Sequence, residues 1–143
     1  MLATSAPTAT ASADNTVPLI PTAAMGGSLG SFTDAVKMYD CERILSPVRE
    51  ADFAIRVSGD SMAPEYPSGS IILIKRVNEK AFIDWGHTYV LDTVNGAVIK
   101  KLLPTDNETR WRCVSVNPDY PPFDIALSDI IHVFRVLMMM TEK

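Results

Sequence analysis

Apolar runs of strand length, cut at short intervals by Gly, Pro, Asn and Asp, limit what this chain can fold into. Phe53–Val57, Gly69–Arg76, His87–Thr93, Gly96–Leu103 and Trp111–Val116 each read as a strand, and Ile130–Met140 closes the chain as a long apolar one. Trp85-Gly86 makes a turn, and Asn95-Gly96 is a strong short-range hairpin signal. Asn117–Pro122 is a Pro-rich loop. Earlier, Val17–Ile20 reads as a strand-like arm, Phe32–Met38 as a short helix or irregular, and Glu42–Leu45 as a strand closed by Pro47. Many short strands with frequent turn signals predict a mostly-β domain, a curled sheet or barrel.

Length suits one domain of 143 residues, and 47% apolar content allows a real core. Residues 1–16 are small, polar and low in complexity, which is linker composition. Thirteen basic residues against 17 acidic ones, with no basic stripe, argue against gripping DNA through its phosphates. Cys41 and Cys113 sit in unrelated contexts, the pattern of reduced thiols in cytoplasm. Two isolated histidines and two isolated cysteines make no metal site, and no cofactor motif is present. The start has neither a basic n-region nor an apolar h-region. No apolar run reaches the roughly 18 residues of a membrane span.

Chemistry points to Ser58-Gly59-Asp60-Ser61-Met62-Ala63-Pro64, directly after the first long strand. A serine at a strand end, with backbone N–H groups beside it, has what a nucleophile needs: an exposed Oγ and donors for an oxyanion. The same residues also make ordinary turns. A base is required as well. His87 lies in a turn and His132 in an apolar strand, and neither has an orienting carboxylate in its sequence neighbourhood. A lysine can serve if burial lowers its pKa from about 10.4. Val98-Ile99-Lys100-Lys101-Leu102 supplies two candidates on opposite faces of one strand. Periodicity does not choose between them, and lysines on an edge strand also guard against aggregation.

Ser58-Gly59-Asp60-Ser61-Met62, followed 39 residues after Ser61 by Lys100 in Val98–Leu102, resembles the LexA/UmuD family of self-cleaving Ser-Lys proteins. Val17-Pro18-Leu19-Ile20-Pro21-Thr22-Ala23-Ala24-Met25-Gly26 resembles the segment that the family cuts in its own chain, before a glycine. The likeness covers roughly residues 17–140, with three boxes in the family's order. It implies a LexA C-terminal-domain-like fold over residues 17–143, with a cleavage-site arm at 17–31. Ser61 is the implied nucleophile and Lys100 the implied base, with Lys101 pointing outward. Backbone N–H groups of Ser61 and Met62 would hold the oxyanion, and the scissile bond would be Met25-Gly26. The family usually has Ala or Cys before the cut, so Met25 is a departure.

The resemblance further implies a homodimer through the C-terminal region, a RecA-type filament as co-protease, and DNA binding only through a separate N-terminal domain. This chain would be a fragment of a longer LexA-like or phage-type repressor, or a natural short form. The alternatives are a UmuD-like polymerase accessory protein and a dimerisation module that no longer cuts. A signal-peptidase relative would share the serine box, but this chain lacks an anchor and a Gly-x-Pro-Gly-Asp-like box after the lysine. The apolar Met138-Met139-Met140 end suggests pairing or packing against a second copy.

Overall fold

The computed structural model describes residues 15–21, 41–79 and 82–141. β1 (Thr16–Pro18) and β2 (Arg43–Leu45) form a small antiparallel ribbon. The remaining strands are β3 (Phe53–Arg56), β4 (Ile71–Val77), β5 (Thr88–Thr93), β6 (Gly96–Pro104), β7 (Arg110–Val114), β8 (Phe123–Ala126) and β9 (Ile130–Met140). They build one antiparallel sheet in the order β3-β4-β9-β5-β6-β7-β8. Of the two expected forms the curled sheet is the one adopted: β3 and β8 are its ends, and no described ladder joins them. The strands read from the sequence are all present. Phe32–Met38 lies outside the described residues, as does Met25-Gly26.

The sheet is buried on both faces, which is why its central strands are apolar at consecutive positions. All six residues of β5 are buried. Val90 packs with Ile55, Val57, Ile72, Ile74 and Phe134 on one face. Its neighbours Tyr89 and Leu91 pack with Leu102, Trp111, Cys113 and Val133 on the other. A smaller cluster of Val17, Ala51, Ala54, Ile71 and Leu73 lies under the β1–β2 ribbon. Each fully buried aliphatic side chain contributes roughly 1.5–3 kcal/mol relative to exposure. Trp85 and Trp111 meet edge to face at 5.7 Å, the geometry of packing residues.

β9 lies between β4 and β5, hydrogen-bonded on both edges. Central position accounts for its apolar run; β4 pairs it from Val133 to Met140 and β5 from Ile130 to Arg135, so no described ladder covers its β5-side edge from Val136 to Met140. Both of its ladders slip register, between Leu73/Ile74 on β4 and Asp92/Thr93 on β5. Such bulges bend a strand and strengthen its twist, which curls the sheet.

The β5–β6 hairpin turns between the two strands read from the sequence, His87–Thr93 and Gly96–Leu103. Thr93 pairs with Gly96, so the two-residue loop is Val94-Asn95. The Thr93 hydroxyl donates to the Gly96 carbonyl at 2.7 Å and accepts from the Asn95 N–H at 3.0 Å. Gly96 takes φ +111°, a conformation that favours glycine, as the first residue of the returning strand.

Candidate active site

Ser61 sits in the loop joining β3 to β4. The neck of that loop is closed by two backbone bonds, Val57 N–H to Ser70 and Gly69 N–H to Val57, both 2.8 Å. Inside it, Ala63 N–H donates to Asp60 at 3.1 Å and Tyr66 N–H to Met62 at 2.8 Å. Gly59 has φ +82°, a turn conformation that a residue with a Cβ resists. Met62 is 1% exposed and pegs the loop into the core. Its neighbour Ser61 stays partly exposed.

Lys100 comes from β6, where its ladder partner on β5 is the fully buried Tyr89. It therefore shares a face with Tyr89, Val98 and Leu102. Lys101 takes the opposite face and lies 3.2 Å from Glu65. Lys100 Nζ donates to Ser61 Oγ at 2.9 Å. Among the described residues that amine is the Ser61 hydroxyl's one hydrogen-bond partner. Partial burial lowers the Lys100 pKa from its ordinary 10.5, because the charged amine loses hydration; nearby Cys113 pulls weakly the other way. The Cys113 thiol is itself pushed up to about 11, chiefly by burial.

Both residues line a cleft of about 260 Å³. One wall is Arg56, Val57, Ser58, Ser61 and Met62, and the other is Ala97–Lys100. β7 joins the β6 ladder only from Lys101 onward, so that edge of β6 is open from Gly96 to Lys100 on the cleft side. Backbone N–H groups of Ser61 and Met62 donate to no acceptor among the described residues. A larger depression of about 660 Å³, edged by Lys75, Arg76, Phe82 and Arg135, contains neither Ser61 nor Lys100. Size alone does not mark the site.

The N-terminal arm runs close by. Ile20 N–H donates to Ala54 of β3 at 2.8 Å, and Leu19 bridges to Ala54 in parallel. Ile20 is 2% exposed and belongs to the cluster that contains Val57, a wall residue of the cleft.

The histidines stand apart from the serine. His132 does have a carboxylate: Asp92, its ladder partner on β5, lies 3.4 Å from Nδ1. That pairing crosses strands 40 residues apart and leaves no trace in the local sequence. His87 occupies the turn before β5, as expected. Sequence reasoning missed Asn117 and Tyr120. Read only as part of a Pro-rich loop, they reach back to Asp60 and Ser61.

Among the described residues no group of three or more His, Cys, Asp or Glu could hold a metal ion. No helix among them is long and apolar enough to cross a membrane.

A family model described as Peptidase S24-like matches residues 18–137. The chain belongs to that family, of LexA/UmuD-like self-cleaving serine peptidases. A search of curated proteins found no match.

Proposed function

We propose that this chain is the regulatory self-peptidase domain of a LexA-like or phage-type repressor, cutting its own Met25-Gly26 bond with Ser61 and Lys100. The carrying observation is the 2.9 Å contact from Lys100 Nζ to Ser61 Oγ, at a cleft beside an open strand edge. An amine whose pKa burial lowers is neutral in a larger fraction at a given pH, and only the neutral form can take a proton.

Neutral Lys100 takes the Ser61 proton as Oγ attacks the Met25 carbonyl carbon. Negative charge gathers on the Met25 oxygen, which the Ser61 and Met62 N–H groups receive. The intermediate collapses, the C–N bond to Gly26 breaks, and protonated Lys100 delivers its proton to the leaving Gly26 nitrogen. An ester between Met25 and Ser61 remains. Lys100, neutral again, takes a proton from water as its oxygen attacks the ester. The C–Oγ bond then breaks, protonated Lys100 returns its proton to Ser61 Oγ, and residues 1–25 leave with a new carboxyl group. Five extended residues from Ile20 to Met25 reach roughly 17 Å, and Ile20 is already packed beside Val57 of the cleft wall.

The cytoplasmic setting, the homodimer through the C-terminal region and the RecA-type filament as activator belong to the same proposal and rest on family membership. A second copy would meet the chain at the Val136–Met140 end of β9, whose β5-side edge no described ladder covers.

N-terminal sequencing of the protein after incubation, alone and with an activated RecA filament on single-stranded DNA, tests the site. A new chain beginning Gly26-Gly27-Ser28 is expected. A stable intact chain under both conditions, or a cut elsewhere, would overturn the assignment.

A further inference from the structure

The N–H groups proposed to receive the oxyanion belong to two peptide units, Asp60–Ser61 and Ser61–Met62. In a trans peptide the carbonyl and the N–H point in opposite directions. Whatever holds the carbonyl therefore aims the N–H. One residue reaches both carbonyls, sharing that of Asp60 with the Ala63 N–H at 3.1 Å. The Asn117 N–H donates to the Ser61 carbonyl at 2.9 Å. The Asn117 side-chain amide, through Nδ2, donates to the Asp60 carbonyl at 3.1 Å.

Asn117 is itself fixed. Its Oδ1 accepts the Asp119 N–H at 3.0 Å, which orients the amide so that Nδ2 faces Asp60. Its carbonyl accepts the Tyr120 N–H at 3.1 Å, and the Tyr120 hydroxyl returns to Asp60 Oδ1. The turn after β7 thus closes on the serine loop from 57 residues away in sequence.

We propose that Asn117 is the positioning residue of the oxyanion pocket, aiming the Ser61 and Met62 N–H groups into the cleft. This rests on the Ser61–Lys100 reading above. Its effect is twofold. Bracing the carbonyls removes the freedom of the two peptide planes to rotate. A carbonyl that accepts a hydrogen bond also polarises the N–H of the same amide, making it a better donor. Asparagine suits the place because one side chain must donate to Asp60 while accepting from Asp119. An ionised aspartate has no donor and would set its charge against the Asp60 carbonyl.

The test compares the full-length parent with Asn117→Ala and Asn117→Asp by three measurements: self-cleavage rate against pH, melting temperature, and amide proton resonances of Ser61 and Met62 in NMR spectra of ¹⁵N-labelled protein. Losing an oxyanion donor outright costs about 10²–10³-fold in rate, so losing the brace behind one should lower the plateau about ten-fold. The pH midpoint, which reports Lys100, should stay in place, and the Ser61 amide proton should move upfield as its carbonyl loses a donor. A rate within about two-fold of the parent in both variants would overturn the proposal, given that a lost donor costs far more. So would an unmoved Ser61 resonance. A rate loss accompanied by a shifted pH midpoint or a matching fall in melting temperature would also overturn it, since a merely structural brace predicts that. If the parent itself does not cut, the self-peptidase reading fails on its own, and the resonances still decide whether Asn117 aims these groups.

Discussion

The Lys100 amine and the Ser61 hydroxyl stand 2.9 Å apart, although one comes from the middle of β6 and the other from a loop 39 residues earlier. Two layers of structure hold them together. Met62 pegs the serine loop into the core, and the Tyr89–Lys100 pairing fixes which way the lysine faces.

That placement carries a stability cost. The lowered Lys100 pKa means that the unfolded chain holds the proton more tightly than the folded one. Stability should therefore rise with pH from the folded pKa up to the unfolded value near 10.5, with the penalty fully present below the folded pKa. Lys100→Met removes the charge and keeps the apolar stem. Thermal melts at neutral pH should show this variant at least as stable as the parent, while it no longer cuts. A clear loss of stability would mean that the amine is not penalised by its surroundings.

Met62 ties the serine loop to the core. Met62→Ala should destabilise by about 2–5 kcal/mol, the range for truncating a buried side chain of this size. Cleavage should fall further than the unfolded fraction explains, because the serine loop loses its peg. Denaturant unfolding beside a rate measurement separates the two effects.

Phe134 is fully buried at the centre of β9 and meets Phe53 edge to face at 5.8 Å. Phe134→Ala should cost about 3–5 kcal/mol, measured by denaturant titration. An equally large loss from truncating exposed Leu103 would contradict the assigned core.

Cys113 is buried beside Lys100, with its thiol pushed up to about 11, whereas Cys41 is only half-buried. Alkylation of the native protein at neutral pH should mark Cys41 first and leave Cys113 largely intact until the chain is denatured. Peptide mass mapping after timed exposure reads this directly.

How much of this could be read from the sequence depended on whether the deciding contact was local. Strands were legible because each is a run of neighbours ended by its own turn residues. Ser61 and Lys100 came from motif spacing that resembles a family, not from periodicity. Alternation put Lys100 and Lys101 on opposite faces, but only packing against Tyr89 and Leu102 decides which face is inward. The hairpin bounds were legible at Thr93 and Gly96, but the Thr93 hydroxyl that closes the turn is a contact that the Asn-Gly signal does not contain. The apolar composition of β9 suits a central strand as well as a seam for a partner chain, so composition alone does not separate the two. The Asp92–His132 pair and the Asn117 brace both cross long stretches of chain, and neither has a local signature.

The most direct test of the account is intact mass after incubation at neutral and alkaline pH, for the parent, Ser61→Ala, Lys100→Ala and Lys101→Ala. The parent and Lys101→Ala should lose residues 1–25, faster as pH rises through the lowered Lys100 pKa and levelling off above it. Ser61→Ala and Lys100→Ala should stay whole at every pH. Cleavage that persists without Lys100, or a parent rate that falls as pH rises, would contradict the Ser61–Lys100 mechanism.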